Sequence, residues 1–271
     1  MTAWRRLVFA VPECDRDDLI VRLHEAGTLG VETAPDGVVA WFPGAAELDL
    51  DRAAGSARLV SAETVSDGLW HERWVARLAP FPVGERFLIV PGPRAAPDAA
   101  GRLTLRLTPG RAFGTGEHPT TQLCLAMLER GSRPGDRVLD AGTGSGILAI
   151  AAAKLGAALV IGVDIDPEAV SIAQRNALIN DAVNDARPIH FVAGSLEAVS
   201  RGRFDLVVAN ITGVALIRMM PALAALAGRE AILSGLLASE EPEVVDAAAR
   251  AGLRRAAGET RDGWAALALS R

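Results

Sequence analysis

Residues 138–146 read Val-Leu-Asp-Ala-Gly-Thr-Gly-Ser-Gly, an apolar run closing on glycines at 142, 144 and 146, and a helix-forming run, ILAIAAAKLGA, follows. Glycines at such a turn let the chain bend sharply from strand to helix and let backbone amides approach a ligand with no Cβ in the way. That is the chemistry of a nucleotide-like cofactor pocket. A dinucleotide loop is written GxGxxG and aims a helix N-terminus at a pyrophosphate. Here the loop is GxGxG with Asp140 two residues ahead of it, which suits a cationic amino group better than a phosphate. Twenty residues after Gly144, Asp164 ends a second apolar run, LVIGVD, where a carboxylate can accept both hydroxyls of a ribose. One acid before the loop and one after it match a ligand with an ammonium, a ribose and no phosphate, namely S-adenosylmethionine. A nicotinamide dehydrogenase fits this spacing less well.

Two further motifs carry chemistry. The stretch Pro109-Gly110-Arg111-Ala112-Phe113-Gly114-Thr115-Gly116-Glu117-His118-Pro119-Thr120-Thr121 has too much glycine and proline for a helix or a central strand, so it reads as an ordered loop ending where TTQLCLAMLERG begins a helix. Thr120 or Thr121 can cap that helix or contact a ligand. His118 invites a catalytic role by residue type, but only Glu117 stands at short spacing as an orienter, and a structural hydrogen bond within the loop is the preferred reading. The other motif, Asp205-Leu-Val-Val-Ala-Asn210-Ile211-Thr212, is a strand with an asparagine at its end. In an open α/β sheet the carboxyl ends of the strands face the ligand crevice, which places Asn210 in one cleft with Gly142 and Asp164. Its amide oxygen can accept a hydrogen bond from a substrate amine and so aim the nitrogen lone pair at a methyl donor.

Positioning these groups takes a strand-helix alternation, and the chain supplies one from about residue 81 onward. Strand candidates are RFLIVPG, RLTLRLT, DRVLDA, ALVIGVD, PIHFVAG, FDLVVAN, REAILSG, LRRAAGE and WAALALS, with helices between most of them. The last two stand on either side of Thr-Arg-Asp-Gly, too close for a helical crossover, and predict an antiparallel hairpin. The expectation is an α/β fold with a mostly parallel, Rossmann-like seven-stranded sheet closed by that hairpin. Residues 1–66 differ in texture: the order strand, helix, strand, Asp36-Gly37 turn, strand, short helix, strand predicts a small α+β, ferredoxin-like domain. A helical linker is expected over 67–80, with Trp70, Trp74 and Arg77 at spacings of four and three, and a catalytic domain over 81–271.

Composition narrows the field. Half of the 271 residues are hydrophobic, enough for a full core, while a net charge of −5 argues against gripping nucleic acid through a basic surface. A basic partner protein remains compatible with that charge. Cys14 and Cys124 lack a CxxC spacing and predict buried thiols in a reducing compartment, with no metal site. The N-terminal apolar run is too short for a signal peptide, and no stretch is long enough to span a bilayer, so a cytoplasmic, monomeric protein is expected.

The segments PGRAFGTGEHPTT, VLDAGTGSGILAIAA, GVDIDPEAV, VVANIT, ILSGLL and the final W-A-A-L strand resemble, in order and spacing, the bacterial ribosomal protein methyltransferase A family, which methylates large-subunit ribosomal protein L-eleven (L11). The resemblance covers about residues 67–271, and the AFGTGxHxTT segment is not a general methyltransferase signature. It implies a class I methyltransferase that transfers methyl groups from S-adenosylmethionine to lysine ε-amines and the N-terminal α-amine, with a small N-terminal domain capturing the ribosomal protein. Carried over by position, it implies cofactor contacts at Thr121, Asp140, Gly142, Gly144, Asp164 and Asn210, with Phe113, Gly114, Thr115 and Gly116 closing over the site and Asn210 acting in catalysis. Asn210-Ile211-Thr212 stands where many amino methyltransferases have an Asn-Pro-Pro-Tyr type segment. The chain has no tyrosine, so an aromatic lid has to come from Phe113 or a tryptophan. A class I methyltransferase acting on another protein lysine, such as one in an electron-transfer flavoprotein, or on a small-molecule amine, would share the core fold without needing residues 1–65.

Overall fold

In the first strand, β1 (Ala3–Ala10), Leu7 and Phe9 are fully buried while Arg6, Val8 and Ala10 are half-exposed, the period of two of a sheet covered on one face. The computed structural model describes residues 3–12, 15–28, 30–34, 37–44, 49–66, 79–92, 99–108, 114, 116–180, 182, 188–196, 199 and 203–271. It divides into two units, Met1–Arg77 and Leu78–Arg271.

In the first unit β1 is followed by α1 (Arg16–Glu25), β2 (Gly30–Ala34), β3 (Gly37–Pro43), α2 (Leu50–Ala54) and β4 (Arg58–Ser66). The strands lie in the order β2-β3-β1-β4, every neighbouring pair antiparallel. This is a split β-α-β arrangement, and both helices cover the face that carries Leu7, Phe9, Val38, Ala40 and Phe42. Leu19 and Leu23 of α1 and Ala53 and Ala54 of α2 complete that core, so this unit has its own apolar centre. The expected linker falls mostly on 67–78, outside the described residues.

In the second unit, the strands expected at RFLIVPG and RLTLRLT stay out of the large sheet. They are β6 (Phe87–Pro91) and β7 (Leu103–Leu107), and with β5 (Phe81–Val83) they make a separate three-stranded sheet, β5-β6-β7. Every residue of β6 is buried, and Phe87, Ile89 and Leu105 enter a core shared with two helices, α3 (Pro119–Gly131) and α4 (Ile147–Lys154). Those helices occupy one face of the large sheet, so the small sheet packs outside them.

The large sheet is built from β8 (Arg137–Ala141), β9 (Leu159–Asp164), β10 (Ile189–Ala193), β11 (Phe204–Asn210), β12 (Ala227–Leu237), β13 (Arg254–Arg261) and β14 (Trp264–Ser270). The remaining helices are α5 (Pro167–Ile179), α6 (Gly213–Leu226) and α7 (Glu241–Arg250). Strand order is β10-β9-β8-β11-β12-β14-β13, parallel from β10 through β12 and antiparallel for the last two. Alternation assigns the faces. Val138, Leu206 and Val208 join the core under α3 and α4, while Leu139, Ala141, Val207 and Ala209 join the core under α6 and α7.

The terminal hairpin is tighter than the sequence reading has it. Its strands run as far as Arg261 and Trp264, leaving only Asp262 and Gly263 as the turn, both with positive φ (51° and 79°). Two left-handed residues match the twist of the flanking strands, which lets pairing continue to the turn itself. Among the described residues no helix is long and apolar enough to cross a membrane.

Candidate functional site

The chain leaves β8 toward β9 on one side and returns to β11 on the other, so strand order reverses between β8 and β11. At such a switch point the connections diverge and leave a crevice beyond the carboxyl ends of the strands. The ends concerned carry Asp140, Asp164 and Asn210.

Hydrogen bonds draw these ends together. The Gly142 and Thr143 amides both donate to the Val163 carbonyl (2.8 and 3.0 Å), tying the turn after β8 to the end of β9. The Gly144 amide donates to Asp164 Oδ2 (2.9 Å), and Asp164 Oδ1 accepts from the Asp166 amide (3.0 Å). Each oxygen of Asp164 therefore keeps a lone pair for a further donor, which fits the two hydroxyls of a ribose. Gly142 has φ +76°, and a Cβ there would lie 2.5 Å from Cγ2 of Ile211, the residue after Asn210. Only glycine lets the turn approach the end of β11 this closely.

Asp140 is fully buried. Its Oδ2 accepts from Thr143 Oγ1 (2.7 Å) and the Ala149 amide (3.1 Å), and its Oδ1 is buried without a partner among the described residues. Desolvation, reinforced by the Asp164 charge and opposed by the two hydrogen bonds, pushes its pKa up to about 7. A cation bound at the turn would favour the ionised form, so the residues present fit a positively charged ligand. Beside it Cys124 is wholly buried, and burial first, then the Asp140 charge, hold it as a thiol. Cys14 lies outside the described residues.

The raised pKa has a signed consequence for stability. From the ordinary carboxyl range up to about 7 the folded chain keeps a proton that the unfolded chain has lost, so this group's contribution falls as pH rises through that window and levels off above it. Asp140→Asn, which cannot ionise, is expected to gain on the wild type as pH rises from about 4 to about 7. Calorimetric Tm values of the ligand-free proteins measure this, and a gap that does not change with pH would mean that Asp140 ionises as an ordinary carboxyl.

Asn210 ends β11 with its Nδ2 donating to Thr121 Oγ1 (3.3 Å), while its Oδ1 is buried and has no partner among the described residues. A buried acceptor left unpaired is costly, and a donor from water or from a ligand would satisfy it. Thr121 is thereby brought to the end of β11 by a direct contact. Neither threonine caps α3. That position belongs to His118, whose Nδ1 accepts from the Thr120 amide (3.3 Å) and lies 2.8 Å from Thr120 Oγ1. The reason is Pro119 at the first helical position, which sets Thr120 and Thr121 inside the first turn, both fully buried. His118 makes the within-loop hydrogen bond expected of it and meets Trp264 edge-on at 4.8 Å.

Of the second glycine motif, Gly114 and Gly116 are described and Pro109 to Phe113 and Thr115 are not. The Gly114 carbonyl accepts from Ser145 Oγ (2.7 Å), joining this motif to the glycine turn. Sequence reasoning passed over Ser145, Asn176 and Trp264. The signal for Asn176 was a pair of amides four apart, Asn176 and Asn180, on the buried side of α5.

The family described as Ribosomal protein L11 methyltransferase (PrmA) matches residues 29–271. A ribosomal protein L11 methyltransferase of Chromohalobacter salexigens is 43% identical over 207 residues, which is 76% of this chain and 68% of that one. One from Burkholderia orbicola is 37% identical over 273 residues, 100% of this chain and 80% of its own length. The crystal structure of a ribosomal protein L11 methylase from Lactobacillus delbrueckii subsp. bulgaricus superposes with a TM-score of 0.65 at 35% identity, covering 72% of this chain and 99% of that one. The matched stretch spans between 60 and 80% of the length of the curated relatives. With a switch-point cleft that joins an acid-flanked glycine turn to a strand-end asparagine, and with matches along nearly the whole chain, this protein belongs to the ribosomal protein L11 methyltransferase family, PrmA, within the S-adenosylmethionine-dependent class I methyltransferases.

Proposed function

We propose that this chain methylates amines of ribosomal protein L11, lysine ε-amines and the N-terminal α-amine, in the cytoplasm where ribosomes are assembled. The observation that carries the reading is the unpaired Oδ1 of Asn210 at the switch point, held by the bond from Nδ2 to Thr121. S-adenosylmethionine, when bound, supplies an electrophilic methyl group on a sulfonium. The Gly142–Gly144 turn and Asp164 would hold its ribose side, and the Asp140 carboxylate would favour its positive charge. Gly114, Thr115, Gly116 and Phe113 would cover it.

The chain's own residues then have one main task, which is orientation. A lysine ammonium, with an ordinary pKa near 10.4, has to lose its proton before its nitrogen is nucleophilic, and leaving water on entering the cleft lowers that pKa. Asn210 Oδ1 accepts a remaining N–H and turns the lone pair toward the methyl donor. Positioning of this kind contributes about 7–11 kcal/mol in favourable cases. A net charge of −5 suits a basic ribosomal protein as partner.

The residues 1–66 unit, with its separate core, would capture the substrate. Deleting residues 1–65 is expected to abolish L11 methylation while S-adenosylhomocysteine binding measured by calorimetry stays within about twofold, because Thr121, Asp140, Gly142, Gly144, Asp164 and Asn210 all belong to the second unit. Retained methylation of L11 by the shortened chain would point to another acceptor-binding surface. The identity of the substrate is tested by incubating the protein with labelled cofactor and a total ribosomal-protein extract. The label is expected on L11, and a label confined to other proteins would overturn the assignment.

A further inference from the structure

Asn176 in α5 and Asn180 at its C-cap are both buried, and their side chains reach the open edge of β7. Four helical residues advance by about 6 Å and two strand residues by about 6.6 Å, so amides one helical turn apart can serve alternate strand residues. Asn180 takes Arg106 from both sides: Oδ1 accepts from its amide (2.8 Å) and Nδ2 donates to its carbonyl (2.6 Å). Asn176 Oδ1 accepts from the Thr108 amide (2.9 Å), but its Nδ2 turns away from the strand and donates to the Ser145 carbonyl (2.8 Å) within the glycine turn. Ser145 in turn donates its hydroxyl to the Gly114 carbonyl (2.7 Å). Gly114 has φ +102°, and a Cβ there would lie 2.8 Å from Ser145 Oγ, so the approach requires glycine. The two backbone positions on either side of 109–113 are thus both linked to Ser145 of the turn, Gly114 directly and Thr108 through Asn176.

We infer that Ser145 and Asn176 are positioning residues, which bind Thr108 and Gly114 to the glycine turn and so hold the two glycine motifs of the cleft in one arrangement for the cofactor. A plain helix-capping role does not account for Ser145. Its oxygen is 3.4 Å from the Ile147 amide, whereas its proton goes to Gly114 at 2.7 Å. Nor does core filling account for Asn176, since each end of its amide meets a different chain segment. The inference rests on the reading of the cleft as the S-adenosylmethionine site.

Calorimetric titration of the full chain with S-adenosylhomocysteine, paired with thermal melts, tests it. Asn176→Ala and Ser145→Ala are each expected to weaken binding by about tenfold or more, and Ser145→Thr, which keeps the hydroxyl, to restore most of it. Asn180→Ala is the control: it breaks the same kind of buried bonds, to β7 and to the Asn176 carbonyl (2.7 Å), and leaves the Asn176 side chain and the turn their own bonds, so Tm falls and affinity holds. Affinity that follows Tm across all the variants, or that stays at the wild-type value in Asn176→Ala and Ser145→Ala, overturns the inference. A wild type that takes up no S-adenosylhomocysteine overturns the cofactor reading instead. Amide exchange then judges the clamp without ligand: the Thr108 amide exchanges faster in Asn176→Ala if the clamp exists, and unchanged protection rules it out.

Discussion

Asn210→Ala is expected to lower turnover by about 10²–10³-fold and to change S-adenosylhomocysteine affinity only slightly. The side chain has two ends with separate duties. Nδ2 is committed to Thr121, and Oδ1 is buried with no partner among the described residues. Removing the amide deletes the acceptor that would orient the incoming amine, an interaction made as the reaction proceeds and therefore one that weighs on kcat. Asn210→Asp presents an oxygen of the same reach with a negative charge, and a protonated amine held by it cannot attack. It should be as slow as the alanine variant near neutral pH. Steady-state kinetics with L11 as acceptor, set beside calorimetry, separates the two effects. Unchanged turnover would remove Asn210 from the reaction, and equal losses in turnover and affinity would make it a cofactor contact only.

Asp164→Ala is expected to raise the dissociation constant for S-adenosylmethionine by about 10²–10⁴-fold, because hydrogen bonds to a charged group contribute about 1.5–3 kcal/mol each and the proposed ribose contact uses two of them. The same substitution releases the Gly144 and Asp166 amides, so the turn also loses the bond that ties it to the end of β9. Asp164→Asn keeps one acceptor and is expected to fall between the two. Titration calorimetry reads all three proteins. Wild-type affinity in the alanine variant would place the ribose elsewhere in the cleft.

Much of this cleft was legible in the sequence, because strand ends in a parallel sheet are functional positions by construction and their residues stand in recognisable order. Asp164 reads as a ribose acceptor from its place after LVIGVD, and the structure puts it on the Gly144 amide. Asn210 reads as an amine acceptor, and its Oδ1 has no partner among the described residues. Of the two roles open to Thr120 and Thr121, capping α3 falls to neither: threonine is a preferred capping residue, yet Pro119 fixes the start of the helix and hands the position to His118. The hairpin turn was drawn too long because Asp262 adopts a left-handed conformation that its residue type permits but does not announce.

Local information was sufficient for the strand-helix alternation, the glycine turn and its flanking acids, since each depends on residues within a few positions of one another. The exclusion of β6 and β7 from the large sheet, the meeting of Thr121 with Asn210, and the clamp from Asn176 through Ser145 to Gly114 all join residues 31 to 89 positions apart or depend on which face a helix covers. Such contacts arise when packed layers bring distant backbone groups into dry surroundings, where each buried donor and acceptor has to find a partner that no pattern in the chain names beforehand.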